Sequence, residues 1–389
     1  MDFIKNIKAS MCREIRLIRQ RPVCLIAALG TMTFCMVFFL TFLKDGVPGE
    51  LPIGIVDCDN SSLSRNLTRQ IDATQLGKTI RFNDYAQARE ALQTGKINAV
   101  CVIPDMLYDD VLSGRQPTIT FYVNTMYYIG GALAYKDLLT MMNLSAGGVQ
   151  RELLKAKGMD EEAIMGRIQP IVIDAHYIGN AMTDYRAYLT GTLIPGFLEM
   201  TVILVTVFAL GSELKYGTSR TFLENAGGSM TAAITGKLIP YTILFTIIGI
   251  ICDTILYRHA GFPMEGYLCN LYLGTFVMIL ACEAMAVFLT GAMPVLRTAL
   301  CISALYSILA FTLAGFTFPV EALPPYIQGL STIFPFRHFY LMLVQETVFG
   351  SGFEGWYPQL VSMAAFMLLP AVTHKRLYKA CELQNFPKN

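Results

Sequence analysis

The chain has 389 residues, of which 54% are hydrophobic and 15% are charged, and its formal net charge is +1. Soluble domains usually carry about 25% charged residues, so this composition excludes an ordinary soluble protein. The near-zero net charge supplies no field that attracts nucleic acid, which is therefore not an expected partner. The chain is predicted to be a membrane protein embedded in a lipid bilayer.

The first 22 residues have the pattern of an amphipathic helix. Most of their Lys and Arg side chains fall on one side of a helix, opposite a stripe of apolar residues. The apolar stripe consists of Ile4, Ile7, Met11, Ile15 and Ile18. Such helices lie in the membrane interface with the apolar face in lipid. Residues 1–22 are therefore predicted to form a cytoplasmic amphipathic interface helix.

Six apolar runs are candidates for membrane spans, each of which needs about 20 residues as a helix. Residues 23–43 carry no charge and exceed the apolar core of a cleaved signal peptide, so they are predicted to be transmembrane helix 1. Residues 190–373 are predicted to form a transmembrane domain of helices 2–6. The runs in that domain are 190–211, 234–256, 268–292, 297–318 and 358–373.

Lys and Arg positions predict the orientation of the spans. With the N-terminus inside, the inner segments hold most of the positive residues near the spans, whereas the short outer loops hold Arg258 and Arg337. Positive residues close to spans favour the cytoplasmic side. Both termini are therefore predicted to be cytoplasmic, with residues 374–389 as a cytoplasmic tail and residues 44–189 outside.

Residues 44–189 form an insert of domain size between helices 1 and 2. Apolar strand-like pieces alternate with helical pieces from residue 51 to residue 123, and the pattern becomes helical from residue 131. This alternation predicts a small α/β domain with a largely parallel sheet, followed by a helical stalk. Cys58 and Cys101 both fall on predicted strands, where a disulfide and two free thiols are both possible. The fold class is a polytopic α-helical membrane protein of six transmembrane helices with an inserted extracytoplasmic α/β domain.

Three stretches resemble the motifs of one family. They are IGIVDCDNSSLSRNL (53–67), ELKYGTSRTFLENAGGSMTAAITGKLIP (213–240) and FTFPVEALPPYIQGLSTIFPFRHF (316–339). They are similar to the first strand of the outer domain, a cytoplasmic loop and an outer re-entrant segment of the ABC type-2 exporter permeases. The resemblance is to the branch with a large extracytoplasmic domain after the first span, and it covers nearly the whole chain. Residues 319–357 are accordingly predicted to form the re-entrant segment.

The resemblance implies a function and a set of partners. Members are transmembrane subunits driven by a separate ABC ATP-binding subunit, and nothing here resembles the phosphate-binding motif GxxxxGK[ST]. The chain is thus expected to have no catalytic residue, no metal and no cofactor, with ATP and Mg²⁺ held by the partner ATPase. A homodimer or heterodimer in the bacterial inner membrane is implied, exporting a hydrophobic or amphipathic compound such as a drug or lipid. A periplasmic adaptor and an outer-membrane channel accompany some members.

The resemblance also identifies residues 212–238 as the loop that couples the permease to the ATPase. The loop has both acidic and basic side chains, which can make polar contacts with a partner protein. Its glycines allow a turn before a short helix and allow that helix to end before the next span. The loop has Ala-Gly-Gly where the family often has proline, and Arg220 where an acidic residue is common. The predicted coupling residues are Glu213, Lys215, Gly217, Arg220 and Glu224.

Two acidic residues lie deep within predicted spans, whereas Asp253 is near the outer end of the run 234–256. Glu199 is near the middle of the run 190–211, and Glu283 is inside the run 268–292. An acidic side chain at mid-bilayer is disfavoured by about 2.5–3.5 kcal/mol on insertion scales, so it normally faces the bundle interior or a wet cavity. Two interpretations stay open, namely contacts along a translocation path and hydrogen-bonded packing acids.

Two other functions fit parts of the pattern. An ion-coupled secondary transporter would use Glu199 and Glu283, but the chain has no evident inverted repeat. A membrane-anchored enzyme would need a catalytic motif, and neither GxSxG nor HExxH occurs. The sequence favours the export permease and does not identify its substrate.

Overall fold

The computed structural model describes residues 2–46, 49–74, 77–126, 128–176, 178–180 and 184–383. The chain divides into two compact units. The sheet unit is Asp45–His176, and the helical unit consists of Met1–Lys44 and Tyr177–Asn389. Residues 384–389, the end of the predicted cytoplasmic tail, lie outside the described residues.

The described residues form the following elements in chain order. They are α1 (Asp2–Gln20), α2 (Val23–Phe42), β1 (Leu51–Asp57), α3 (Ser62–Asp72), β2 (Gly77–Phe82), α4 (Tyr85–Gln93), β3 (Ala99–Ile103), α5 (Leu107–Leu112), β4 (Thr120–Val123), α6 (Tyr128–Ala156), α7 (Glu161–Ile168), α8 (Tyr185–Lys215), α9 (Ser219–Asn225), α10 (Met230–Thr254), α11 (Leu268–Ala292), α12 (Leu296–Thr312), α13 (Pro325–Ser331), α14 (Pro335–Thr347), α15 (Phe353–Ala365) and α16 (Leu369–Leu383).

The sheet unit is built on one four-stranded sheet in the order β2-β1-β3-β4. β1 pairs in parallel with β2 and β3, and β4 pairs antiparallel with β3. Ile53 and Ile55 face a core shared with α3, α5 and α6, whereas Val56 and Val100 face α4 on the opposite side. The predicted α/β arrangement with a largely parallel sheet is therefore observed. The first half of α6 packs on the sheet through Leu138.

Five helical stretches among the described residues are long and apolar enough to cross a membrane. The predicted span 297–318 corresponds to the shorter apolar helix α12, whose 17 residues extend about 26 Å. Membrane-spanning helices range from about 17 to 25 residues, so α12 is at the short end of that range and the six-span count stays a prediction. Gly315, with a φ of 106°, and Pro319 follow it, and neither continues a helix. The five stretches are Val23–Phe42, Tyr185–Lys215, Met230–His259, Leu268–Ala292 and Phe353–Leu383.

The last stretch is longer than the predicted run 358–373. α15, a 3-10 turn at Phe366–Leu368 and α16 follow one another without a break. Pro370 does not interrupt this helical stretch, because the Phe366 carbonyl that an N–H at position 370 would bond in an α-helix accepts from the Leu369 N–H in the 3-10 turn. The predicted boundary of the cytoplasmic tail at residue 374 therefore lies inside a helix.

α8 and α11 form the centre of the helical unit, since most of the residues in their apolar windows are buried. Small residues allow close packing there. A Cβ on Gly196 in α8 would lie 2.6 Å from the Phe311 ring, and one on Gly211 would lie 2.7 Å from Leu296. Glycines at such contacts let helix backbones approach each other within membranes. Residues 319–357, the predicted re-entrant segment, contain a 3-10 turn at Val320–Ala322, α13, α14 and the start of α15.

Candidate functional site

The 212–238 segment, predicted from sequence as the coupling loop, is two helix ends with the seven-residue helix α9 between them. α8 ends at Lys215, and Gly217, which follows this helix end, adopts a φ of 69°. The N–H groups of Gly217 and Thr218 donate to the carbonyls of Leu214 and Glu213. This is the glycine-terminated helix end that favours a residue without a Cβ.

Two more glycines end α9, as the sequence predicts. Gly227 and Gly228 have φ values of 62° and 78°. The Gly228 N–H donates to the carbonyl of Leu223 at 2.9 Å, which closes the helix end. Ser229 then caps α10 by accepting a hydrogen bond from the Ala232 N–H at 3.4 Å. The segment therefore has a defined conformation set by its own turns and caps.

One face of α9 is buried and packs against other helices of the helical unit. Phe222 is 1% exposed and Leu223 is buried with it, in a cluster that includes residues of α10 and α16. The hydroxyl of Ser219 donates to the carbonyl of Cys381 in α16 at 2.8 Å. These contacts couple the position of α9 to the positions of the helices beside it.

The opposite face of α9 is exposed and carries charges of both signs. Arg220 and Glu224 are exposed on α9, and Lys215 is exposed at the end of α8. Arg220 also donates through Nε to the carbonyl of Glu382 at 3.1 Å. Gly217 is exposed as well, so the three charged residues and this glycine, four of the five predicted coupling residues, lie at the surface, where another protein can reach them.

Glu213 differs from these four because it belongs to a buried ionic cluster, defined here as Arg13, Glu14, Glu213 and Lys237. Lys237 Nζ is 2.6 Å from Glu14 Oε2 and 2.9 Å from Glu213 Oε1. Arg13 donates twice to the Glu213 carboxylate, at 2.7 and 2.8 Å. Two acids and two bases make the cluster neutral, and Glu14, Glu213 and Lys237 are at most 4% exposed. The cluster joins α1, α8 and α10.

Hydroxyl groups and an aromatic ring complete the ionic cluster. Tyr241 donates to Glu14 Oε1 at 2.8 Å, and the hydroxyl of Thr218 donates to the Glu213 carboxylate. The Phe222 ring faces both cations, with Lys237 Nζ at 5.5 Å from its centre. Burial alone would lower the pKa of Arg13, but its hydrogen bonds to Glu213 and the charge of Glu213 outweigh burial and raise that pKa. Buried charges persist in proteins when they are paired and hydrogen-bonded in this way.

The N-terminal helix α1 packs directly on α10 through small and polar residues. Ser10 donates to the carbonyl of Ala233 at 3.0 Å. A Cβ on Gly236 would lie 2.6 Å from the carbonyl oxygen of Ile7 and from Ser10 Cβ, so the two helices touch where α10 has a glycine. Ile4 and Ile15, in the predicted lipid-facing stripe of α1, are exposed at 74% and 50%.

The sequence did not single out Arg13, Glu14 or Lys237 as functional residues, and it treated Glu213 as a contact charge. The structure places the Glu213 carboxylate in the interior, where it binds other parts of the chain. One signal was available, because Glu14 is an isolated acid among the many bases of residues 3–22. An isolated acid on a basic helix indicates a specific positive partner.

The two intramembrane acids of the sequence prediction have different surroundings. Glu199 in α8 is fully buried beside Ser307, and no described residue makes a well-formed hydrogen bond to its oxygens. Glu283 in α11 is 2% exposed, and its Oε2 accepts from the Thr242 hydroxyl at 2.6 Å. Its Oε1 has no partner among the described residues. Both acids face the interior of the helical unit.

Comparison with known proteins is consistent with this architecture. Residues 23–372 match the family described as ABC-2 family transporter protein. The inner membrane transport permease YhhJ of Escherichia coli (strain K12) is 24% identical over 330 residues, which cover 82% of this chain and 83% of that protein. The probable multidrug ABC transporter permease YbhR of the same strain is 25% identical over 187 residues, 47% of this chain and 50% of that protein. The chain therefore belongs to the ABC-2 family of transporter proteins and is a membrane permease with several apolar helices.

Proposed function

We propose that this chain is the transmembrane subunit of an ATP-driven exporter that moves a hydrophobic or amphipathic compound out of the cytoplasm or the inner membrane. Membership of the ABC-2 family supports the permease part of the proposal. The name of one relative, a probable multidrug ABC transporter permease, supports a small-molecule substrate. Since the chain has no GxxxxGK[ST] motif, ATP and Mg²⁺ would bind a separate ATPase subunit.

The observation that carries the proposal is the attachment of the 212–238 segment to four helices. The ionic cluster ties its two ends to α1, and the buried face of α9 packs beside α16. A displacement of α9 by a partner would therefore be transmitted to α1, α8, α10 and α16 together. Lys215, Arg220 and Glu224 would contact the ATPase, Gly217 would set the turn, and Glu213 would anchor the segment.

The proposed topology places the 212–238 segment and both termini in the cytoplasm. The distribution of Lys and Arg near the spans supports this orientation. Residues 44–189, including the sheet unit, would then be extracytoplasmic, and residues 319–357 would form an outer re-entrant segment. Two permease copies, identical or similar, would pair to form the pathway, with a periplasmic adaptor and an outer channel as further candidate partners. Glu199 and Glu283 would line that pathway.

The test is co-purification with the ATPase subunit after removal of exposed charges. Arg220→Ala combined with Glu224→Ala should greatly weaken ATPase association and substrate-stimulated ATP hydrolysis, while expression stays normal because exposed charges contribute little to folding. The matched control is Lys78→Ala with Glu50→Ala, which removes an exposed ion pair of 3.1 Å from the sheet unit. Normal ATPase association and transport in the α9 double variant would contradict the coupling role.

A further inference from the structure

A large cavity lies between α10, α11 and α16 of the helical unit. Its volume is about 1060 Å³, which is enough for a drug-sized ligand, since such pockets measure roughly 300–1,000 Å³. Along α10 it extends from Thr231 to Ile243, a distance of about 18 Å at the helical rise. Leu280 of α11 and Val372 of α16 are among the apolar residues that line it. The cavity is thus long and mostly apolar.

One rim of the cavity consists of exposed apolar side chains. Ile243, Met367 and Val372 expose 56%, 37% and 73% of their surface, and all three belong to stretches apolar enough to span a membrane. Apolar side chains on the outside of a membrane helix are stable in contact with lipid tails, which are equally apolar. A compound dissolved in the bilayer can therefore enter the cavity past this rim.

The wall of the cavity contains the acidic side chain of Glu283. Glu283 lines the cavity, and although its Oε2 accepts from Thr242, its Oε1 has no partner among the described residues. Leaving a buried polar atom without a hydrogen bond is unfavourable by about 1–3 kcal/mol. Because Oε1 is itself buried, a ligand with a hydrogen-bond donor would reach it after a rotation of the Glu283 side chain, and binding would then remove that penalty.

The two ends of the cavity differ in charge. His374 and Lys375 lie at one end with Thr231, whose Oγ1 is 3.3 Å from His374 Nε2. Thr242, which binds Glu283, is eleven residues further along α10, about 16 Å at the helical rise. A positive group on a ligand is repelled by Lys375 and attracted by Glu283, so it would lie at the acidic end.

We propose that this cavity binds a lipophilic amine, with the protonated nitrogen at the Glu283 carboxylate and the apolar body lying along α10. A charged donor makes a stronger hydrogen bond to a carboxylate than a neutral donor does. The head group of a carboxylate ligand would be repelled by Glu283 and would lie at the Lys375 end, whereas an alcohol would lack the charge opposite to that of Glu283. The inference deepens the proposed function and rests on it in one respect, namely that the bound amine is a transported compound.

The test is direct binding to the purified permease in lipid nanodiscs, without ATPase. Radiolabelled dodecylamine, dodecanol and dodecanoate share one apolar chain and differ in the head group, and empty nanodiscs give the lipid background. Dodecylamine should bind most tightly. Glu283→Gln should weaken its binding about tenfold or more, the expected loss for a hydrogen bond to a charged group, and should leave dodecanol binding unchanged.

Two further variants make the test independent of a folding defect. Asp253→Asn removes a buried acid of α10 that accepts from Thr275 at 2.8 Å and does not line the cavity, so amine binding should persist. Ala284→Leu fills part of the cavity and should weaken the binding of amine and alcohol alike. Equal binding of the three probes, or an Asp253→Asn effect as large as that of Glu283→Gln, would overturn the proposal.

The outcome is separable from that of the proposed function. Amine binding that depends on Glu283, in a permease that recruits no ATPase, would retain the cavity as a ligand site and reject the exporter. ATPase association with amine binding that is indifferent to Glu283 would retain the exporter and reject the amine site.

Discussion

Lys237 and Glu14 form a buried ion pair with 2.6 Å between Nζ and Oε2, although 223 positions separate the two residues in sequence. The pair joins α10 to α1, and Glu213 at the end of α8 accepts from the same ammonium group at 2.9 Å. Charges this deep have already lost their hydration, so each of them depends on its partners. The packing of the N-terminal helix on α10 therefore depends strongly on Lys237.

Lys237→Met should destabilise the helical unit strongly. The substitution leaves Glu14 buried without a cation and Glu213 with Arg13 alone. Removing one partner of a buried pair typically lowers the free energy of unfolding by about 3–5 kcal/mol. The measurement is the thermal unfolding midpoint of the purified permease in detergent.

The double variant Glu14→Gln with Lys237→Met is the control for unpaired charge. It removes one acid and one base together, so it should recover a large part of the stability lost in Lys237→Met. Equal loss in the single and double variants would show that the ion pair is not the source of the effect. Lys78→Met, at an exposed pair of the sheet unit, should change the midpoint little.

Gly236→Ala should loosen the contact between α1 and α10. The added Cβ would lie 2.6 Å from the carbonyl oxygen of Ile7. This distance is too short for a contact with a backbone atom, so α1 would have to move away from α10. Overpacking of this kind is unfavourable by about 1–3 kcal/mol. Gly30→Ala in α2 is the matched control, because nothing lies within 4 Å of its Cβ, and alanine favours a helix over glycine by roughly 0.5–1 kcal/mol.

The measurement for this glycine pair is protease cleavage near the N-terminus together with the unfolding midpoint. Gly236→Ala should increase cleavage within α1 and lower the midpoint, whereas Gly30→Ala should do neither. If both variants behave alike, the close approach of α1 and α10 is absent in solution.

Cys58 and Cys101 should react differently with a maleimide. The structure has both as free thiols, with Cys58 exposed and Cys101 fully buried. Burial and the nearby charge of Asp57 raise the pKa of Cys101 to about 12, so at pH 8 roughly one thiol in ten thousand is the reactive thiolate. Mass spectrometry should find Cys58 labelled at once and Cys101 labelled after unfolding in urea.

The same experiment tests the proposed topology with a membrane-impermeant maleimide on intact cells. Cys58 should be labelled from outside, and Cys12, which is exposed on α1, should be labelled after the membrane is permeabilised. Labelling of Cys12 in intact cells, or a mass two daltons low from a Cys58–Cys101 disulfide, would contradict these expectations.

Local patterns account for what the sequence predicted correctly. The predicted alternation of strands and helices in residues 51–123 is observed as β1 to β4 with α3 to α5. It was predictable because the spacing of apolar residues along the chain differs between strands and helices. The stop at Gly227–Gly228 appears because a left-handed helix end favours glycine. Hydropathy identified the apolar runs, but it did not predict that α12 stops after 17 residues, since its end depends on turns that follow it.

The sequence by itself determined the membrane class, the α/β insert and the family, because composition, periodicity and contiguous motifs are properties of neighbouring residues. The tertiary structure alone decided which charges meet. Glu14 pairs with Lys237 across 223 positions, and the cavity between α10, α11 and α16 is lined by Glu283 and not by Glu199. Both outcomes depend on which helices pack together and on the direction each side chain takes from its helix. Contacts between residues that are far apart in sequence produce no repeating pattern of residue types along the chain. They are determined by how the helices pack and cannot be predicted from the residues on either side.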